Sequence, residues 1–169
     1  KGVSLFDPRY TVKTVKHPYC VLVWGAFSGN CGRAGLYFLP KNVTMLQSNY
    51  IEVLQGHLLN FWHIHECHHF MHDGAPAHRT KTVQKWLTDN NIAVLDWPGN
   101  SPDLNPIENA WNIMKDKVQE AQPANIHELQ EILKKLWVTM DKKYFEKLAG
   151  SMPKRLQNVL KVKGNMTKY

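Results

Sequence analysis

Hydrophobic and polar positions along the chain change period as it proceeds. Tyr19 to Phe27 is a continuous run rich in β-branched and aromatic residues, and Arg33 to Pro40 is a second, with Gly29, Asn30, Cys31 and Gly32 between them. The pair predicts a β-hairpin. Because the first run is apolar on both faces, it is expected as a central strand with helices on either side. From Thr44 to Leu59 the spacing becomes helical, with Tyr50, Val53, Leu54 and Leu58 on one face and Thr44 and Gln47 in capping-box positions. A second helical pattern runs from Ala77 to Asn90, with Val83, Trp86 and Leu87 inward and Arg79, Lys81 and Lys85 outward, and Ile92 to Leu95 reads as a short strand. Ile107, Ala110, Trp111, Met114 and Val118 then recur at helical spacing until Gln122-Pro123-Ala124 breaks the pattern. Asn125 and Glu128 open another helix, with Ile126, Leu129, Ile132, Leu133 and Leu136 inward, and Tyr144 to Leu148 and Pro153 to Val162 add two shorter ones. The expected architecture is α/β: one domain over residues 1–169, a mixed sheet flanked by helices, with a helical C-terminal third.

Two carboxylates stand at boundaries of this pattern, Asp73 and Glu108, with 34 residues between them. Asp73 follows a strand-like run ending at His72, and Gly74 and Pro76 break the strand at once. Glu108 opens the third helix, where Asn105 is a candidate N-cap and Pro106 suits the first helical position. Carboxylates on adjacent elements can hold Mg²⁺ or Mn²⁺, hard cations that prefer oxygen ligands and leave positions open for phosphate and water. A pair of such ions can clamp the attacking and leaving oxygens of an in-line phosphoryl displacement. Spacing alone leaves a second reading open: Glu108 lies three residues after Asn105, as in a capping box, and Asp73 could cap a helix starting near Ala77.

Composition narrows the classes. A net charge of +7 and a pI near 9.3 suit a polyanionic partner. Three widely spaced cysteines, Cys20, Cys31 and Cys67, fit a reduced nuclear or cytosolic compartment better than a disulfide framework. No stretch approaches the roughly 20 apolar residues a bilayer span needs, so no membrane partner is expected. Five histidines and Cys67 fall between His63 and His72. Alternation along a strand would send them to opposite faces, which argues against a single zinc site. Lys134, Lys135, Lys142, Lys143, Lys147, Lys154, Arg155, Lys161 and Lys163 make the last third basic, either a phosphate-binding surface or an ordinary solvated helical face.

The wording of the motifs is more specific than their spacing. Asp73-Gly74-Ala75-Pro76-Ala77-His78, Trp97-Pro98 and Ser101-Pro102-Asp103-Leu104-Asn105-Pro106-Ile107-Glu108-Asn109 closely resemble the catalytic domain of mariner-superfamily transposases, of the Sleeping Beauty-like branch whose third carboxylate is Glu. Val15-Lys16-His17-Pro18, Val23-Trp24-Gly25 and the ending Lys163-Gly164-Asn165-Met166-Thr167-Lys168-Tyr169 match the same pattern. The resemblance implies a ribonuclease H-like fold, cut-and-paste transposition with Mg²⁺ or Mn²⁺, Asp73 as second and Glu108 as third catalytic carboxylate and metal ligand, and His78 and Asn105 near the site. It further implies double-stranded DNA (transposon ends and target) as partner, a homodimer, and work in the nucleus. Lys13, Lys16, Arg79 and Lys115 are the candidate DNA contacts. Residues 1–18, polar and basic, resemble the family's clamp loop, and Asp7 in Phe6-Asp7-Pro8 belongs to that arm. The family's first Asp is expected upstream of Val23-Trp24-Gly25, as are its helix-turn-helix domains, so the 169 residues read as the C-terminal part of a catalytic domain, inactive alone. The alternative is a domesticated or truncated remnant that keeps the fold as a non-catalytic DNA-binding or dimerisation module.

Overall fold

The computed structural model describes residues 19–30, 32–96 and 101–162. The expected clamp-loop arm with Lys13 and Lys16, the Trp97-Pro98 pair, Cys31 and the Lys163–Tyr169 ending lie outside the described residues. The hairpin forms, in two ladders. Strand β1 (Val23–Trp24) pairs antiparallel with β4 (Tyr37–Phe38), and β2 (Phe27–Ser28) pairs with β3 (Gly32–Arg33). Val23 faces Phe38 but Phe27 faces Arg33, so the second strand carries one extra residue between the ladders, the signature of a β-bulge.

Side chains alternate across the hairpin as the apolar run requires. Trp24 and Ala26 pack against one core cluster, built from Tyr50, Leu54, Leu58, Trp62, Phe70, Val83, Leu87 and Ile92. Val21, Val23 and Phe27 pack against the other, built from Ala110, Met114, Leu129, Leu133, Trp137, Phe145 and Leu148. Helical layers therefore cover both faces, as expected from the sequence. On the first face lie α1 (Gln47–Val53), a π-helical segment (Leu54–Leu58), α2 (Leu59–Ile64) and α3 (Lys81–Asp89). On the second lie α4 (Ile107–Ala121), α5 (Ile126–Thr139) and α6 (Lys142–Gly150), followed by α7 (Met152–Lys161).

Several boundaries differ from the expectation, each for a local reason. The first helix starts at Gln47, not Thr44, and the Leu46 N–H donates to Asn49 Oδ1 at 3.2 Å in place of a Thr44–Gln47 capping box. It also runs on to Ile64, because Phe61 and Trp62 continue the buried stripe. His63 is therefore helical, and among the described residues no three His, Cys, Asp or Glu side chains converge on a metal position. The helix expected from Ala77 begins at Lys81, where the Thr80 hydroxyl accepts from the Val83 N–H. Residues 76–79 form a turn. The strands leading to Asp73 and through Ile92–Leu95 shrink to one parallel bridge, Phe70 with Val94. The Phe70 N–H donates to the Ala93 carbonyl at 2.7 Å and the Leu95 N–H to the Phe70 carbonyl at 2.9 Å. The helices after Glu108 follow the pattern closely: Gln122 breaks the chain in the left-handed region at φ 48°, and Asn125 Oδ1 accepts from the Glu128 N–H at 2.8 Å.

Candidate metal centre of two carboxylates

Asp73 leaves the sheet three residues after the Phe70 bridge and enters a tight turn. Its Oδ1 accepts the Ala75 N–H at 3.1 Å, and His78 Nδ1 approaches the same oxygen to 2.6 Å. Neither Asp73 contact is a helix cap, so the capping alternative fails here. The side chain is 56% exposed, and Oδ2 has no partner among the described residues. His78, with the Ala75 N–H second among the favourable contacts, holds the Asp73 carboxyl below the usual carboxylate range against the opposing effect of burial.

Under Asp73 lies a stack of rings. Tyr50 stacks on His78 with centroids 3.7 Å apart, His72 lies 5.4 Å from His78, and Phe70 closes the stack 5.2 Å from His72. The Tyr50 hydroxyl meets His72 Nδ1 at 3.2 Å. Burial, then the neighbouring His78, push the His72 imidazole down to about 4, while Asp73 pulls the other way. Burial and the Asp73 charge likewise push the Tyr50 phenol up, so both groups are neutral at neutral pH. The sequence shows Tyr50 only as one more inward position of a helix. Its polar tip in an otherwise aliphatic stripe was the available signal, since a buried Tyr hydroxyl needs a partner.

Glu108 sits in the first turn of α4. Asn105 does not cap this helix through its side chain: it ends the 3-10 turn Pro102–Leu104, and Pro106 takes the N-cap position. Only backbone bonds join them, Glu108 N–H to the Asn105 carbonyl at 3.1 Å and Asn109 N–H to the Pro106 carbonyl at 3.2 Å. The capping box fails here too, and the Glu108 carboxylate has no hydrogen bond or ion pair among the described residues. Trp111, one turn on and on the same face, packs its ring where a Gly25 Cβ would stand, 3.0 Å from that position. Gly25 is thus the close-approach point of α4 on the hairpin.

Asp73 and Glu108 line one cavity of about 960 Å³, together with His72, His78, Asn105 and the hairpin edge from Leu22 to Asn30. His78 thus adjoins Asp73, and Asn105 adjoins Glu108 through its backbone carbonyl. Arg79 is exposed and lines an adjoining cleft with Asp73, and Lys115 is exposed two turns along α4 from Glu108. Arg155 corrects the expectation of a basic surface at that position: it is 2% exposed, and its guanidinium points inward.

A family model described as DDE superfamily endonuclease matches residues 13–130. The chain belongs to this family. The chain is 31% identical to the transposable element Tcb2 transposase of Caenorhabditis briggsae, over 97% of this chain and 60% of that protein. It is 29% identical to the Tc1 transposase of Caenorhabditis elegans, over 98% of this chain and 61% of that one. The chain thus spans about three-fifths of the length of these relatives. Among solved structures, the Mos1 transposase catalytic domain superposes with a TM-score of 0.79 at 19% identity, covering 88% of this chain and 78% of that one. The Mos1 strand transfer complex superposes with a TM-score of 0.81, covering 99% and 51%. The likeness shows the ribonuclease H-like α/β fold.

Proposed function

We propose that this chain is the part of a Tc1/mariner transposase catalytic domain that supplies two of the metal-binding carboxylates for cut-and-paste DNA transposition. The observation that carries the reading is the pair Asp73 and Glu108: oxygen donors on one cavity, each at the motif position where the family's second and third carboxylates fall, and neither engaged by a helix cap or by a Lys or Arg among the described residues. Their chemistry fits Mg²⁺ or Mn²⁺. When bound, such an ion supplies charge to stabilise the attacking and leaving oxygens of a phosphodiester.

The chain's own groups do the rest. His78 and the Ala75 N–H keep Asp73 ionised and hold one of its oxygens, leaving the other for a cation. The neutral ring stack of Tyr50, His72 and Phe70 forms the floor under that turn. Glu108 is carried on a helix pressed to the hairpin at Gly25. Arg79 and Lys115 draw in the phosphate backbone of double-stranded DNA without reading its sequence. The family resemblance adds a first Asp on a further strand. Mos1 has been solved with Mg and with Mn, and in paired-end complexes with transposon ends. By that likeness we extend the proposal to a paired-end complex with transposon-end DNA; the motif resemblance adds a homodimer working in the nucleus.

The test is metal-dependent nicking of duplex carrying transposon ends, with the 169-residue chain, a chain extended upstream through the first Asp, and the extended chain with Glu108→Gln. Only the extended chain should cut, and Glu108→Gln should lower its rate by at least about 10³-fold. Cutting that Glu108→Gln leaves untouched overturns the assignment.

A further inference from the structure

We propose that Arg155, far from the carboxylates in sequence, is the positioning residue that aims Glu108. The inference rests on the reading of Glu108 as a metal ligand. Arg155 is the buried charged side chain among the described residues. From α7 its Nη1 donates to the Asp103 carbonyl at 2.8 Å, its Nη2 to Asn109 Oδ1 at 2.7 Å, and its Nε to Ser151 Oγ at 2.8 Å. Asp103 lies in the 3-10 turn that leads into α4, and Asn109 is the residue after Glu108. One planar, rigid group therefore ties both ends of the segment Asp103–Asn109 to the same point of α7, where Ser151 Oγ is itself anchored by donating to the Leu148 carbonyl at 2.6 Å.

The backbone hydrogen bonds of that segment are short-range: Asn105 N–H to the Pro102 carbonyl, Glu108 N–H to the Asn105 carbonyl, Asn109 N–H to the Pro106 carbonyl. They shape the turn but do not orient it in the molecule. Burying a guanidinium is a poor route to stability, because desolvating its charge offsets much of what its partners return. The same helix leaves Leu156 and Leu160 at 41% and 75% exposure while Arg155 is enclosed. An apolar side chain at 155 could fill the space; it could not fix the direction of the α4 start. That is the property a two-carboxylate site requires, since a ligand displaced by about 1 Å loses its cation or its reaction geometry.

The experiment compares the 169-residue chain with Arg155→Lys, Asn109→Ala and Glu108→Gln by two readouts, residue-resolved amide hydrogen exchange and Mn²⁺ titration followed by water-proton relaxation. Lysine keeps charge and length but cannot meet three acceptors in one plane, and Asn109→Ala removes a single acceptor, a milder variant that keeps the fold should Arg155→Lys unfold it. Both should speed exchange at residues 103–110 by about tenfold while amides of α1 and α5 keep their rates. Both should also weaken Mn²⁺ binding about as far as Glu108→Gln does. Exchange that rises evenly through α4 to α7, or Mn²⁺ binding that Glu108→Gln weakens and both other variants leave intact, makes Arg155 merely structural and overturns the proposal. Mn²⁺ binding unaffected by Glu108→Gln itself removes Glu108 from the site, and the positioning role falls with it.

Discussion

Asp73 and Glu108 hang from different halves of the core, and the halves hold them by different forces. Asp73 belongs to the cluster around Tyr50, Phe70 and Ile92, at the end of a sheet connection reduced to one bridge, and its orientation is set by imidazoles, a phenol and one backbone N–H. Glu108 belongs to the cluster around Met114, Trp137 and Phe145, on a helix of 15 residues, and its orientation is set by packing at Gly25 and Trp111 and by the neutral acceptors that Arg155 joins. One carboxylate is placed by titratable groups and the other by packing and by hydrogen bonds from a guanidinium to neutral acceptors. The Glu108 half should therefore respond to volume changes in the core, and the Asp73 half to pH.

The sharpest way to break that contrast is Gly25→Ala. A Cβ there would stand 2.9 Å from Leu36 Cδ2 and 3.0 Å from the Trp111 ring. Leu36 can rotate away, but the indole is wedged against the Trp137 ring at a centroid distance of 5.3 Å. Chemical denaturation should show a loss of about 1–3 kcal/mol. A neutral result would mean that α4 is not seated on the hairpin as described.

The pH response of the other half comes next. His72 titrates at about 4 in the fold and at an ordinary 6.5 when unfolded, so between those values the unfolded chain binds more protons. Its contribution to stability is whole above pH 6.5 and is lost as pH falls toward 4, on the order of 1–2 kcal/mol once solvent screening of a partly exposed ring is allowed for. Asp73 acts in a lower window: its contribution is present above pH 3.8 and disappears as pH falls through its lowered folded value. Melting curves from pH 7 to 4 should slope downward, and His72→Gln should flatten that slope. A slope unchanged in His72→Gln would show that the ring stack does not carry it.

Much of this arrangement was legible before any coordinates, and the exceptions share a cause. The apolar run Tyr19–Phe27 announces a strand covered on both faces, and Val21, Val23 and Phe27 pack on one cluster while Trp24 and Ala26 pack on the other. The boundary positions of Asp73 and Glu108 are legible because Gly74, Pro76 and the proline-rich block before Glu108 mark element ends, while their pairing is what the family resemblance implies. Arg155 is not: a charge in a helix with exposed leucines reads as surface, and only the positions of Asp103 and Asn109, 52 and 46 residues away, turn it inward. The ring stack fails for the same reason, since Tyr50 meets His72 and His78 through tertiary contacts that no local period encodes.

The smallest effect concerns the two exposed cations beside the carboxylates. Binding of the chain to duplex DNA should be weak, indifferent to sequence and steeply dependent on salt, and Arg79→Ala and Lys115→Ala should each lower the salt slope by roughly one. Salt-insensitive or sequence-selective binding would contradict phosphate contact as the role of these side chains.

The central claim, that two carboxylates delivered by separate halves of the core hold one divalent cation, is tested most directly by crystals of the chain soaked in saturating Mn²⁺ and measured at the manganese absorption edge. The account predicts an anomalous peak bound by both Asp73 and Glu108, with metal to oxygen distances near about 2.1–2.2 Å. A peak held by one carboxylate alone, or carboxylates that stay apart with no manganese between them, would contradict it.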